Sequence, residues 1–172
     1  MSGLFTIPLS GLKEGQHLYD FEIGKEFFDE FEEWEIKEGV LAASIILDKR
    51  SSHFDLIFKI NGKVKVCCDR CLELFFQPVE CENKLLLKFG KEWDDSDPDM
   101  ITLPADTNEL DLRQYIYEFI QLALPIQKVH PGGSRENECD PEMIKKLREY
   151  IVADEKETDP RWDELRKLIN NN

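Results

Sequence analysis

An α+β fold, an antiparallel β-meander sheet covered by helices with a C-terminal helical arm, is what this chain of 172 residues predicts. Three observations carry the expectation. Between Val40 and Phe89 apolar side chains recur at every second position, the period of a half-buried strand. From 111 to 124 the spacing becomes helical. Near the C-terminus, Asp140-Pro141 and Asp159-Pro160 each set a capping carboxylate before a proline suited to a first helical turn.

In chain order, Phe5, Ile7 and Leu9 alternate with Thr6, Pro8 and Ser10, which suits an edge strand because Pro8 has no amide to donate. Phe27, Phe31 and Trp34 follow Gly24 at helical spacing among acids and predict an amphipathic helix whose stripe packs on the core. Leu41, Ala43, Ile45 and Leu47 then share one face of a strand that turns at Arg50-Ser51-Ser52. The run Phe54, Leu56, Phe58 and Ile60 is a second strand, and Asn61-Gly62 at its end is a type I′ hairpin signal, so Lys63–Cys68 is expected to return as its partner. Beyond Pro78, positions Val79, Cys81, Leu85, Leu87 and Phe89 predict a further strand closing the meander. Asp94 to Asp99, rich in turn formers, is expected to be an acidic loop.

Leu112, Tyr115 or Ile116, Phe119 and Leu122 describe a helix entered at Asp111, with Gln114 at the reciprocal capping position and Pro125 as its stop. Two further helices carry Ile144, Leu147 and Ile151, and Trp162, Leu165 and Ile169. The expected division is an α+β domain over 1–135 and a helical extension over 136–172.

Thirty-six acidic against 22 basic residues give a net charge of −14, which repels a phosphate backbone unless a local patch reverses the sign. Between Lys63 and Lys91 six bases outnumber four acids. Any RNA contact is therefore expected at Lys63, Lys65, Arg70, Lys84 and Lys88. Lys13 to Val40 and Glu92 to Glu118 are strongly acidic. Glu30, Glu32, Glu33, Asp94 and Asp95 are the candidates for holding a basic protein, although a solvated acidic surface that keeps the protein soluble is the commoner meaning of such runs. Runs such as Leu41 to Leu47 fall well short of the roughly 18 residues a membrane span needs. The N-terminus has neither the basic patch nor the apolar stretch of an export signal, so a cytoplasmic location is expected. Nothing points to a small-molecule substrate.

The five cysteines argue against a disulfide framework. Cys68-Asp69-Arg70-Cys71 has the spacing at which two thiolates grip one tetrahedral ion, and alone it supplies half a zinc site. His130 and Cys139 are the soft ligands available for the other half. Cys81 falls on an apolar strand face, where a buried structural thiol is the ordinary expectation. The same C-x-x-C also permits a thiol redox protein using Cys68 and Cys71, but that chemistry favours a βαβ setting, whereas here the motif ends an antiparallel strand. A metal-free structural adaptor is the third reading. No serine sits in a nucleophile elbow, and no glycine pattern cradles phosphate.

Cys68-Asp69-Arg70-Cys71-Leu72, then Glu109-Leu110-Asp111-Leu112 leading to Leu122-Ala123-Leu124-Pro125, then Asp159-Pro160-Arg161-Trp162 with Leu165 to Leu168, resemble in order the motifs of the YceD family over roughly residues 5 to 170. The resemblance implies a factor in the synthesis, processing or stability of large-subunit ribosomal RNA, linked with a large-subunit ribosomal protein or a processing factor and bringing no enzymatic activity. Many members carry a cysteine where His130 stands and a cysteine-rich stretch after it, which looks like the second half of a metal site. This chain keeps only His130 and Cys139 there.

Overall fold

The computed structural model describes residues 5–30, 35–131 and 139–150. In chain order the elements are β1 (Thr6–Pro8), β2 (Gly15–Ile23), α1 (Lys25–Asp29), β3 (Gly39–Lys49), β4 (His53–Cys67), β5 (Leu74–Gly90), β6 (Asp94–Asp97), β7 (Met100–Pro104), β8 (Glu109–Asp111), α2 (Arg113–Leu122) and α3 (Pro141–Tyr150). Six strands form one sheet in the order β2-β3-β4-β5-β7-β6, and β1 pairs with β8 as a separate two-stranded clasp. The first four strands of the sheet are antiparallel neighbours. β7 then lies parallel to β5, so the sheet is mixed where a pure meander was expected.

One face of the sheet is the core. Leu41, Ala43, Ile45 and Leu47 of β3, Phe54, Leu56, Phe58 and Ile60 of β4, and Val79, Leu85 and Leu87 of β5 are all buried on it, as side chains two apart in a strand must share a face. α2 covers this face with Ile116, Phe119 and Ile120. The Phe58 and Phe119 rings meet edge to face with centroids 5.0 Å apart, a geometry aromatic pairs favour. The clasp closes the far side. Phe5 lies against Phe27 of α1 at 4.9 Å, and Ile7, Leu9 and Leu110 are buried beside them. The helix after Gly24 is observed as α1, whereas Phe31 and Trp34 lie outside the described residues, as do Ile151 and the helix of Trp162, Leu165 and Ile169.

Four local expectations are corrected. Asn61-Gly62 makes no hairpin. β4 runs through it, with Gly62 opposite Leu41 of β3 and Val79 of β5. Gly62 has φ +149°, and a Cβ there would stand 2.3 Å from the Val40 carbonyl oxygen, so this glycine serves close approach of neighbouring backbone. Pro78 lies inside β5, which begins at Leu74, in a stretch paired only with β4; an edge tolerates the missing amide. Asp94–Asp97 is a strand, β6, turning into β7. Gln114 donates to Glu118 at 2.9 Å and does not reach back to complete a capping box, while Asp111 does accept the Arg113 amide at 3.0 Å.

Candidate metal centre

β4 ends at Cys67, and the chain reverses over Cys68–Glu73 before β5 begins. The Cys68 amide donates to the Glu73 carbonyl and the Leu72 amide to the Cys68 carbonyl, both at 2.9 Å. Closing so tight a turn puts Leu72 at φ +64°, in the left-handed region. The side chain of Leu72 is exposed, so nothing else constrains it. Within the turn the Arg70 amide points at Cys68 Sγ, 3.5 Å away. Both sulfurs face inward, and Cys68 and Cys71 are buried.

The loop after α2 is tied to this turn. The Asp69 amide donates to the Lys128 carbonyl at 2.7 Å, and the Lys128 amide donates to Asp69 Oδ2 at 2.6 Å. Lys128 also reaches Glu35 at 2.6 Å, which raises its pKa. Two residues on, His130 lies against buried Phe75, with ring centroids 4.5 Å apart and planes tilted by 32°. Cys139, just before α3, completes the group. The donor atoms of Cys68, Cys71, His130 and Cys139 all lie within 4.8 Å of one another.

Three of the donor–donor distances in the cluster match the edges of a tetrahedral site. Metal–sulfur and metal–nitrogen bonds of about 2.3 and 2.05 Å put the edges of a zinc tetrahedron at about 3.8 Å between sulfurs and about 3.6 Å between sulfur and nitrogen. Cys68 Sγ lies 3.7 Å from Cys139 Sγ, and His130 Nδ1 lies 3.6 Å from Cys71 Sγ and 3.5 Å from Cys139 Sγ. Burial pushes the Cys68 thiol up, but the amides of Cys71, Arg70 and His130 and the His130 ring outweigh it and bring the thiol to about 6. Burial and the neighbouring Cys68 and Cys71 push the Cys139 thiol the other way, to about 11. A cation bound among these sulfurs would hold them as thiolates, because a metal deprotonates the thiols that bind it. Burial of Cys68 and Cys71 does not suit redox exchange, which needs an accessible sulfur.

The five basic candidates do not form one patch. Lys63 and Lys65 lie near the cluster end of β4, where Lys63 Nζ stands 4.8 Å and Lys65 Nζ 5.9 Å from the centre of the Phe76 ring. Lys84 pairs in register with Ile57 and Lys88 with His53. Lys84 is thus about 20 Å of strand from Lys63, and an Lys59–Glu82 ion pair at 3.5 Å stands between. Arg70 is exposed in the Cys68–Glu73 turn. Among the acidic candidates, Glu30 is taken up by an ion pair with Arg113, Asp94 and Asp95 are exposed on β6, and Glu32 and Glu33 lie outside the described residues. Phe75 and Lys128 were missed from sequence. The only signal for either is their place near the C-x-x-C turn and near His130.

An α+β sheet that carries a four-donor cluster at one end, Cys68 and Cys71 buried and His130 and Cys139 half-buried, defines a small protein in which soft side chains are gathered from both halves of the chain. The chain belongs to the family described as large ribosomal RNA subunit accumulation protein YceD, whose family model matches residues 56–169. That span takes in all four donors. No curated protein and no solved structure matches the chain. Among the described residues no helix is long and apolar enough to cross a membrane.

Proposed function

We propose that this chain is a non-enzymatic cytoplasmic factor supporting the synthesis, processing or stability of large-subunit ribosomal RNA, in which one zinc ion held by Cys68, Cys71, His130 and Cys139 fastens the 136–172 extension to the 1–135 domain. The observation that carries this reading is the closed donor set. Four protein donors gathered within 4.8 Å of one another would leave no position for substrate, the mark of a structural ion, whereas a catalytic zinc keeps one site for water. Family membership supplies the link to large-subunit RNA.

The factor acts by holding a basic large-subunit ribosomal protein or processing factor, with contact to the RNA itself. An RNA contact is best supported at Lys63 and Phe76, where the Lys63 ammonium stands 4.8 Å from the centre of a partly exposed ring on which a base could stack, while Lys65 is already held by Glu38 at 2.9 Å. Acidic groups such as Asp94 and Asp95 would steer a basic partner.

Depletion under growth-limiting conditions tests the cellular role: mature large-subunit RNA should fall relative to small-subunit RNA, and an unchanged ratio refutes it. Protein purified without chelator should hold one zinc per chain. A value far below one, or a reversible Cys68–Cys71 disulfide in its place, would favour a redox or metal-free adaptor instead.

A further inference from the structure

The two ends of the six-stranded sheet are finished differently. At one end β6 has four residues, Asp94, Asp95 and Asp97 among them, and its register with β7 shifts between Asp94 and Asp97. Short length, charge and a bulge are what keep a strand edge from pairing with another chain. At the other end β2 runs for nine residues in unbroken register with β3, from Gly15 opposite Lys49 to Ile23 opposite Leu41. It holds no proline and no lysine, and among the described residues no strand pairs with its outer edge. Even the open stretch of β5 is interrupted, by Pro78.

The face of the sheet turned away from α2 supplies a second observation. Leu18, Ile46 and Ile57 lie opposite one another in one row across β2, β3 and β4. Ile46 and Ile57 are half-buried, whereas Leu18, last in the row, is 63% exposed. Such a row is completed by an apolar side chain on a further strand, where directly opposed residues stand about 4.5–5.5 Å apart at Cβ. β2 can supply that side chain to itself. In an antiparallel pair of two β2 strands with Leu18 on the twofold axis, Leu18 faces Leu18 of the second copy, Gln16 faces Asp20, His17 faces Tyr19 and Gly15 faces Phe21. No like charges oppose each other from Gly15 to Phe21. The Gln16 amide can donate to Asp20, whose carboxylate accepts from the Ser44 hydroxyl and has lone pairs left. Asp20 and Glu22 lie toward one end of β2 while Leu18 sits near its middle, which favours an apolar self-match over a basic peptide.

We infer that two copies of this chain associate through β2, edge to edge and antiparallel about a twofold axis at Leu18, joining their two six-stranded sheets into one. Main-chain hydrogen bonds along the edge supply affinity, and the Leu18 contact sets the register. A twofold contact of this kind closes on itself, so it makes a dimer and no filament. Each copy carries a net charge of −14. The dimer is therefore weak at low salt and tightens as salt screens the repulsion between copies. β2 contributes none of the four donors of the metal centre, so the association stands apart from the function proposed above.

Sedimentation equilibrium of the full chain over a wide concentration range, at low and at physiological salt, tests it together with hydrogen exchange at both ends of that range. A monomer–dimer equilibrium is expected, with a dissociation constant that falls at least threefold as salt is raised, and the outward amides of β2 should exchange at least tenfold more slowly in the dimer. Leu18→Lys sets two ammonium groups against each other on the axis and should raise the constant at least tenfold. Because Leu18 is exposed, the variant keeps its fold, which unchanged exchange of β3 to β5 in the monomer checks. Val40→Lys alters an equally exposed apolar site on the same face of β3, beyond the end of β2, and should change the constant less than twofold. A monomer at every concentration, a dimer indifferent to Leu18→Lys, protection along the open stretch of β5 or on α3 in place of β2, or a constant that rises with salt would each overturn the proposal.

Discussion

Asp69 and Lys128 hydrogen-bond in both directions, the Asp69 amide donating to the Lys128 carbonyl at 2.7 Å and the Lys128 amide donating to the Asp69 carboxylate at 2.6 Å. Asp69 is not one of the four donors, yet it joins the turn that holds Cys68 and Cys71 to the loop that holds His130. Residues that orient ligands in this way are worth roughly 10–100-fold in metal affinity. Asp69→Ala should therefore lose zinc to a competing chelator at a concentration roughly 10–100-fold lower than wild type, with Asp69→Asn retaining most of the affinity because its side-chain oxygen still accepts. Competition curves for the three proteins check this.

Metal removal should be felt locally. Cys139 is the last donor before α3, and α3 has no buried residue of its own. Without the ion, residues 126–131 and 139–150 should exchange amide hydrogens within the dead time of the measurement, while Ile45, Phe58 and Leu87 keep the protection of the intact sheet. Uniform loss of protection across β3–β5 would contradict this.

Gly62 separates a strand reading from a turn reading by experiment. Because a Cβ at this position meets the Val40 carbonyl and the Leu41 backbone, Gly62→Ala should cost toward the upper end of the about 1–3 kcal/mol typical of overpacking. In a type I′ turn the same change would cost only the smaller penalty of a positive φ. Urea denaturation midpoints decide it.

At Leu72 the left-handed backbone angle carries a penalty of roughly 1–2 kcal/mol that glycine does not have. Leu72→Gly should hold or raise the denaturation midpoint of the zinc-loaded protein, and Leu72→Val should lower it.

Acid should weaken the start of α2. The Arg113 side chain holds the Asp111 carboxyl below its ordinary value of 3.8, against the opposing effect of burial. A carboxylate with a depressed folded pKa stabilises the fold above its unfolded pKa, and that contribution disappears as pH falls through the folded value. Asp111 is well exposed, so the effect is at most about 1 kcal/mol. The stability difference between wild type and Asp111→Asn should be constant from pH 7 to 5 and shrink below pH 4, as read from urea midpoints at each pH.

Much of the sheet was legible because β3, β4 and β5 alternate cleanly. The error at Asn61-Gly62 came from weighing a turn dipeptide above the parity of the residues on either side of it. A two-residue hairpin places its flanking residues on one face, so Ile60 would share a face with Lys63, and Phe58 with Lys65, leaving Val64 and Val66 in water. Running straight through keeps Phe58, Ile60, Val64 and Val66 together, and all four are buried. β2 escaped notice because it is an edge strand. Only Ile23 in it is fully buried, and Leu18 on its outer side is 63% exposed, which blurs the alternation. β7 is too short, and its parallel pairing depends on a crossover that no local pattern encodes. At the cluster, donor chemistry was readable because soft ligands are few. The Phe75–His130 contact was not, since it depends on the register of β5 against β4 and on the path of a loop.

The pairing of Ile7 with Leu110 sets an order of events during synthesis. The first strand leaves the ribosome with its buried face unmatched, and its partner follows roughly 5–20 s later at about 5–20 residues per second. Over that interval the nascent chain carries exposed Phe5, Ile7 and Leu9, and Cys68 and Cys71 emerge well before His130 and Cys139 can close around an ion. Completion of this protein is therefore a late, nearly simultaneous event at both ends of the sheet, and a stalled or truncated chain would present sticky apolar residues and a half-filled thiol pair together.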